Sequence, residues 1–391
     1  FYIYPHVMNE KSNLPISAAV AVYPVTNRQE LRKFIDVPWL VYANDPMWVP
    51  PLRLERRWHF SKSNPFFEHG EWQAWIAYRD NKPVGRISAQ IDQLHRQRYG
   101  ADTGHFGLLE SVNDKEVFSA LMQTAEKWLA ERGSKHISGP YSFSINQECG
   151  VLVSGFDTPP MVMMPHSPKW YGQLLEEQGY HPLKDLLAYL LKVDREFPKI
   201  MRILVDKFST RVRTRVLRRN QLKVEMEILR SIFNDAWSDN WGFIPFTEAE
   251  FAELGSTFRF LLKDEYIQIV EVDGVPAAFM VVLPNLNEVF AKLNGSLFPL
   301  GWFHLIKKLK FDEISTGRIP LMGVRKKFQN TPLGAALACM MIDAPREIGF
   351  ANGLREIEVS WILEDNKSMR GMIEKAGIPE YKRYRIFGKT L

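Results

Sequence analysis

Cysteine is scarce in this sequence: Cys149 and Cys339 are the only two among 391 residues, and they lie far apart. The sequence has no CxxC pair and no closely spaced even set, which argues against a disulfide framework and against a cysteine-ligated zinc site. Two isolated cysteines in apolar surroundings are typical of a protein from a reducing compartment, so we expect a cytoplasmic location.

Long apolar runs are also missing. The best candidate, residues 266–284, is interrupted by Gln268, Glu271, Asp273 and Gly274, whereas a spanning helix needs roughly 18 apolar residues in a row. The start of the sequence lacks the charged-then-apolar order of a secretory signal. We therefore expect no membrane-spanning segment, and peripheral contact with the inner membrane remains an open alternative.

Two catalytic signatures are absent as well. No His-x-x-x-His pair or carboxylate cluster has the spacing of metal ligands, so we expect no metal ion. No Gly-x-Ser-x-Gly motif occurs, which argues against a hydrolase with that nucleophile turn.

Apolar material is plentiful. Hydrophobic residues make up 46% and aromatic residues 13% of the chain, enough for two packed domains rather than one. The net charge of +5 fits an anionic ligand, a membrane surface or nucleic acid without choosing among them.

Two sets of elements are predicted in the same order, strand, strand, strand, helix, strand, helix, and the second set ends with one further strand. The first set has strands at 72–78, 84–91, 104–110 and 136–139 and helices at 114–132 and 170–178. The second set has strands at 265–272, 276–283, 319–324, 355–361 and 384–388 and helices at 333–348 and 367–376. The sequence thus predicts an α/β (α+β) tandem with an extension over 1–20 and domains over 21–195 and 196–391.

A candidate anion-binding loop follows the strand that ends at Val324. The segment Gln329-Asn330-Thr331-Pro332-Leu333-Gly334 opens the next helix, and it resembles the main motif of the GNAT acetyltransferase superfamily. In that family the loop amides and the helix N-terminus hold the acyl-CoA pyrophosphate, because unpaired N–H groups and the positive end of the helix dipole stabilise an anion. Pro332 replaces the family's glycine and removes one N–H donor.

The resemblance implies acyl-CoA or acetyl-CoA as co-substrate. The residues that it assigns to this co-substrate are Met322, Gly323, Val324, Gln329, Asn330, Thr331, Leu333, Gly334, Ala335 and Asn366. Arg325, Lys326 and Lys327 add positive charge for phosphates.

A second family motif supports the first. Asn366 follows a predicted strand, and Gly377 closes the next helix at the family's spacing. The family's fold implies two GNAT-like domains, each a mixed, mostly antiparallel sheet flanked by helices, with the acyl chain between two splayed strands. Ile373 occupies the place of the tyrosine acid found in many members, so Tyr381 or Tyr384 would have to supply an acid.

The first half lacks a cofactor loop, and we expect it to shape the acceptor pocket. It is similar to a group of long bacterial GNAT-like proteins through residues 42–51 and 64–67, and the second half is similar to them through residues 233–243. Some of that group are associated with bacterial ceramide synthesis, the N-acylation of a sphingoid base.

Acylation of an amine needs a base for the ammonium proton and an acid for the leaving thiolate. The catalytic candidates are Asp239 in a tryptophan-rich loop, Glu358 in mid-strand beside the splay, and Tyr384. Weaker candidates are Glu364, His166 and the segment Asn146-Gln147-Glu148. For each carboxylate the alternative is a surface or capping role, and for the histidine a structural one.

Two surface features remain. Arginines recur between Arg211 and Arg219, which favours the solvent face of an edge strand over a nucleic-acid site because no aromatic residues alternate with them. Residues 297–311 combine large apolar residues with lysines, which fits either a membrane-surface helix or a core helix with a lysine face.

These patterns together predict an acyl-CoA-dependent N-acyltransferase whose acceptor is a small-molecule or lipid amine such as a sphingoid base. A non-catalytic CoA-binding module is the first alternative, because Pro332 and Ile373 depart from the family. An aminoacyl-tRNA-dependent transferase is the second, because the chain is basic. We expect no other nucleic-acid partner, and the oligomeric state stays open.

Overall fold

A computed structural model describes residues 19–310 and 314–391, so residues 1–18 of the predicted extension lie outside it. Its strands are β1 (Ala21–Pro24), β2 (Gly70–Arg79), β3 (Lys82–Asp92), β4 (Thr103–Ser111), β5 (His136–Gly139), β6 (Val151–Ser154), β7 (His181–Lys192), β8 (Val212–Val216), β9 (Ile267–Val272), β10 (Val275–Pro284), β11 (Thr316–Val324), β12 (Glu356–Leu363) and β13 (Glu380–Thr390). Its α-helices are α1 (Arg28–Val41), α2 (Arg53–His59), α3 (Gln93–Tyr99), α4 (Lys115–Ala130), α5 (Tyr171–Glu177), α6 (Lys199–Asp206), α7 (Leu222–Trp237), α8 (Glu248–Leu261), α9 (Asn287–Leu293), α10 (Gly301–Lys310), α11 (Pro332–Ala351) and α12 (Lys367–Lys375).

All these strands belong to one sheet. Its order is β1-β2-β3-β4-β5-β13-β7-β12-β11-β10-β9-β8, and β6 pairs with β13 beside this path. β4 pairs with β5 and β11 with β12 in parallel, and the remaining pairs of the described strands are antiparallel. The predicted α/β class with a mixed, mostly antiparallel sheet flanked by helices is confirmed.

The two halves exchange strands at the centre of this sheet. β7, from the first half, pairs with β12 and places Tyr189 opposite Val359. β13, from the second half, pairs with β5 and places Phe387 opposite Gly139. The domain boundary predicted at residues 195 and 196 divides the chain in sequence, but the sheet continues across it.

The strand β7 was not predicted from the sequence because its apolar and polar residues do not alternate. Four successive residues, Leu186 to Tyr189, are 0% exposed. A strand in the middle of a sheet covered on both faces is apolar throughout, so its period of two disappears. Such a run cannot be told from a buried helix by pattern alone.

The surface elements follow the predictions more closely. The arginines flank and occupy β8, which lies at the edge of the sheet. The predicted amphipathic helix over 297–311 is observed as α10, and Phe311 falls outside the described residues. Within the described ranges, no helix combines the length and the apolar character needed to cross a bilayer.

Apolar side chains from both halves meet in front of β7 and β13. Tyr141, Ile145 and Leu152 come from the first half, and Ile244 and Tyr384 from the second. The interior between the halves is therefore a shared apolar region and not a solvent gap.

Candidate active site

A cleft opens where β11 and β12 part. The two strands pair as far as Ile319 opposite Val359. Beyond that point, a cavity of about 460 Å³ lies between residues 320–324 of β11 and residues 360–363 of β12. The end of α7 and the starts of α11 and α12 complete its wall.

The structure brings the predicted cofactor residues together at this cleft. Those that line it are Met322, Gly323, Val324, Gln329, Asn330, Thr331, Gly334, Ala335 and Asn366. Leu333 is the exception, since its side chain packs in the apolar core and is 8% exposed. The two segments that carry the predicted motifs, about thirty residues apart by number, thus face one cavity.

The loop before α11 is held in a compact turn. The Thr331 hydroxyl caps the helix by accepting from the Gly334 amide at 3.0 Å and donates to the Phe328 carbonyl at 2.6 Å. A β-carbon on Gly334 would lie 1.9 Å from that same carbonyl, so only glycine fits. Pro332 stands at the first helical position, where an N–H would lack an intrahelical partner anyway.

Some amides of this loop remain available. Within the described chain, the backbone N–H groups of Asn330 and Leu333 have no hydrogen-bond partner. Together with the positive end of the 20-residue helix α11, they suit a bound anion.

Two of the three basic residues beside the loop, Arg325 and Lys326, have different surroundings. Arg325 turns away from solvent and donates to the Pro276 carbonyl at 3.0 Å and to Ser231 at 3.2 Å. Lys326 pairs with Asp239 at 2.6 Å on the rim of the cleft. Lys326 is therefore better placed than Arg325 to meet a ligand phosphate.

Asp239 itself lies on the rim. Its side chain is 82% exposed, and Lys326 is its ion-pair partner. The neighbouring residue Trp237 donates from its indole N–H to the Met322 carbonyl at 2.8 Å, and its ring meets Trp361 edge to face at 5.4 Å. The tryptophan-rich loop is thus fixed across both strands of the cleft.

Glu358 lies in the interior behind the cleft. It is 0% exposed, and Arg318, its neighbour across the strand pair, is 4% exposed. The Arg318 Nε and a Glu358 carboxylate oxygen are 3.5 Å apart. Ser360 and Tyr381 both donate hydroxyl hydrogens to the Glu358 carboxylate.

Ser360 connects the two regions. It lines the cleft, accepts from Arg318 Nε at 2.8 Å and donates to Glu358. Burial lowers the pKa of Arg318, against the opposing effect of Glu358. Burial and the nearby charge of Glu358 raise the pKa of Tyr381 above its usual range. The buried Glu358 carboxylate is therefore connected to the cleft by its hydrogen bond with the Ser360 hydroxyl.

Tyr384 and Lys382 flank this group on β13. Tyr384 is fully buried, and its hydroxyl has no hydrogen-bond partner among the described residues. Burial, then the charge of Glu358, raise its pKa well above the usual value. Lys382 donates to the carbonyls of Gly155 and Thr158 at 2.5 and 2.7 Å, and burial lowers its pKa to about 8.

The weaker candidates lie in structural contacts. His166 binds Asp45 at 2.8 Å, and Glu364 accepts from the Asp185 amide at 3.1 Å. Asn146 donates to the Ile244 carbonyl at 3.0 Å and so joins the two halves.

Arginines at and beside the edge strand β8 also form ion pairs within the protein. Arg211 pairs with Asp273 at 2.6 Å, and Arg215 pairs with both Glu225 and Glu271 at 2.6 Å. These ion pairs bind β8 to its neighbours and reduce the charge offered to an outside partner.

Sequence reasoning missed Arg318, Ser360, Tyr381 and Lys382 as members of one group. The available signal was a period of two, because Glu356, Glu358 and Ser360 alternate with the apolar residues Ile357 and Val359. Arg318 could be matched to them only from the register of β11 against β12.

Comparisons with known proteins agree with this architecture. No family model matches the sequence. The chain is 47% identical over 366 residues to protein YghO of Escherichia coli, covering 93% of this chain and 94% of that one. It is 43% identical over 378 residues to the bacterial ceramide synthase of Caulobacter vibrioides, covering 96% and 98%.

Solved structures with the same fold are more distant in sequence. A tandem GNAT protein from the clavulanic acid biosynthesis pathway superposes with a TM-score of 0.56 at 13% identity, covering 95% of this chain and 98% of that one. A GCN5-related N-acetyltransferase from Sphaerobacter thermophilus superposes with a TM-score of 0.52 at 12% identity, covering 95% of each chain. At these identities the likeness concerns the fold alone.

Proposed function

Since the chain has the tandem GNAT fold and belongs to the same family as protein YghO and the bacterial ceramide synthase, we propose that it transfers an acyl group from acyl-CoA to the amine of a lipid. The observation that carries the proposal is the convergence of nine of the predicted cofactor residues, Asn366 among them, on one cleft at the splay of β11 and β12.

The cleft fits the chemical groups of the co-substrate. The amides of Asn330 and Leu333, the N-terminus of α11 and the nearby Lys326 suit a pyrophosphate. Where the strands part, their backbone and apolar side chains, Met322 and Ile362 among them, line the cleft. Such a lining suits an acyl chain.

The chemistry is a direct transfer. The amine nitrogen attacks the thioester carbonyl, a C–N bond forms, the C–S bond breaks and CoA leaves as thiolate. The ammonium loses one proton before or during attack, and the nitrogen loses a second one as the amide forms, which can protonate the leaving thiolate. The first of these needs a base in the site. We assign this proton to Glu358 through Ser360, because the Ser360 hydroxyl lines the cleft while it donates to the buried carboxylate. Asp239 is the alternative base on the exposed rim.

A lipidic acceptor is supported by two observations. Apolar side chains line much of the cleft, Trp241, Trp361 and Met372 among them. A relative covering nearly the whole chain is named a bacterial ceramide synthase, and a ceramide is an N-acylated sphingoid base. Such an acceptor resides in membranes, so peripheral membrane contact belongs to the same proposal.

A non-catalytic CoA-binding module is the second candidate. Glu358 already has Arg318 as its counter-ion and accepts from two hydroxyl groups. A carboxylate with these partners can have a purely structural role, which favours the module.

Thermal unfolding with CoA and with long-chain acyl-CoA tests the cofactor assignment. A ligand that binds only the native state at about 100 times its Kd raises the free energy of unfolding by about 2.7 kcal/mol. No shift with either compound would contradict the assignment.

Detection of the product by mass spectrometry then distinguishes an acyltransferase from a non-catalytic CoA-binding module. We expect an N-acylated sphingoid base from long-chain acyl-CoA, and a much smaller yield from acetyl-CoA with a small polar amine. Ser360→Ala should lower turnover about 100-fold or more, whereas Asp239→Asn should leave it nearly unchanged. The reverse order of effects would move the base to Asp239, and binding without any product would favour the module.

A further inference from the structure

Helix α10 presents apolar side chains on two faces. Leu305 and Leu309, one turn apart, pack against the core of the second half. On the other side, Trp302, Phe303 and Ile306 are 46%, 59% and 51% exposed. A helix that only covers a sheet has one apolar stripe and a polar outer face. The outer face of α10 therefore requires another explanation.

The loop that leads into α10 continues this surface. Phe298 is 71% exposed and Leu300 is 73% exposed. Both precede Gly301, the first residue of the helix, so they lie at its N-terminal end.

Helix α2 of the first half is attached to the same loop. Arg53 donates from its backbone amide to the Gly295 carbonyl at 3.0 Å and from its guanidinium to the Asn294 carbonyl at 2.8 Å. Leu54, the next residue, is 57% exposed, and Trp58, one turn later on the same face, is 45% exposed. The apolar surface thus extends across both halves.

We call this surface the outer platform and define it by Leu54, Trp58, Phe298, Leu300, Phe303 and Ile306. Solvent-exposed cations stand beside it: Arg57 on α2, Lys292 on α9 and Lys307 on α10. Large aromatic and aliphatic residues bordered by lysine and arginine match a bilayer interface, where rings enter the acyl boundary and cations meet anionic headgroups.

We infer that the outer platform docks the protein on the surface of an anionic lipid bilayer. Charge complementarity selects this partner, because the cations at the edge and the net charge of +5 act together toward a negative surface. The inference rests on the proposed function, which includes peripheral membrane contact, and deepens it by naming the surface that makes this contact and the lipid charge that it needs.

Vesicle flotation of the full chain tests the inference. Two vesicle compositions are compared, phosphatidylcholine alone and phosphatidylcholine with added phosphatidylglycerol. We expect the wild type to float with the anionic vesicles and much less with the neutral ones. Phe303→Ser should weaken binding about tenfold, and Lys307→Glu about fivefold or more on anionic vesicles.

Matched controls lie elsewhere on the surface. Tyr23 on the edge strand β1 is also an aromatic residue with 59% exposure, so Tyr23→Ser removes a comparable ring outside the platform. Lys223→Glu makes the same charge change at an exposed site on α7. Neither control should alter flotation.

Two kinds of result would contradict the inference, and each has a different meaning. Wild-type protein that ignores both vesicle types, or controls that weaken flotation as much as platform variants, would exclude a bilayer contact at this surface. A wild-type dimer by sedimentation that Phe303→Ser converts to a monomer would assign the platform to a second copy. Acyl transfer in detergent micelles should survive Phe303→Ser, so loss of flotation with turnover retained separates this inference from the proposed reaction.

Discussion

Glu358 and Arg318 form a buried ion pair, and its effect on stability can be separated from the proposed role of Glu358 in proton transfer. Glu358→Gln leaves the Arg318 cation buried without its counter-ion, which should cost about 3–5 kcal/mol of unfolding free energy. Replacing both, Arg318→Met with Glu358→Leu, should recover most of that stability while acyl transfer stays about 100-fold lower or more. Thermal melts and turnover of the three proteins measure this. A double variant that regains turnover as well would make the pair purely structural.

Gly334 offers a second test at the scale of one residue. Gly334→Ala should abolish the thermal shift with CoA, because its β-carbon would meet the Phe328 carbonyl at 1.9 Å and displace the loop. Gly371→Ala is the matched control: it lies inside helix α12 with nothing within 4 Å of the added carbon. That change should keep the CoA shift and add about 0.5–1 kcal/mol of stability. A CoA shift retained by Gly334→Ala would mean that another segment holds the ligand.

The proposed cofactor residues could be picked out in the sequence because most of them form one short contiguous motif. Residues 322–335 carry their own turn, cap and helix start, so local pattern suffices. Arg318, Glu358 and Tyr381 come from three strands, and their contact depends on pairing register and on which strands are neighbours. No local spacing encodes that, which is why the group was not predicted as a unit.

Among the elements, the junction of β3 with α8 is sensitive to pH through His69. Its Nδ1 lies 3.0 Å from Asp92 at the end of β3, and its Nε2 lies 3.3 Å from Glu250 on α8. Burial alone would lower its pKa, but hydrogen bonds to these carboxylates raise the pKa to about 9 from 6.5. The charged form is therefore favoured in the folded state.

The sign of the pH effect follows. Because the folded pKa is higher than the unfolded one, the stabilisation is fully present below pH 6.5 and is lost as pH rises through about 9. It amounts to at most about 3 kcal/mol. Denaturant titrations from pH 6 to 10 should show this decline, and His69→Gln should flatten it. An equal decline in the variant would assign the pH dependence to other groups.

At the scale of elements, the hairpin strands were predicted, whereas the central strand β7 was not. The strands of the two hairpins, β2 with β3 and β9 with β10, were recognised from turns that follow apolar runs. β7 is buried on both faces, so its sequence lacks the alternation of apolar and polar residues from which a strand is predicted.

For the whole molecule, the exchange of β7 and β13 makes the two halves interdependent. Residues 19–195 alone would leave β5 and β7 without the strand that lies between them. We therefore expect either half to aggregate when produced separately, since unpaired edges of that kind pair with other chains, and we expect co-production to restore a soluble complex. Calorimetry of the full chain should show one unfolding transition. Two separate transitions, or a well-folded isolated half, would contradict this.

The strand exchange was invisible to pattern reasoning for a physical reason. β7 and β13 would carry the same buried residues whether they paired within their own half or across to the other. Only the tertiary arrangement decides between these two pairings.

This arrangement also has a consequence for biosynthesis. β13 follows all its partners in sequence, so a ribosome makes β5 and β7 well before the strand that fills the space between them. Domains usually fold from the N-terminal side as they emerge, but here the first half must wait for residues 380–390. Nascent chains therefore hold two open strand edges from the completion of β7 at Lys192 until β13 begins at Glu380, and chaperones that shield β-edges should associate with them during that interval.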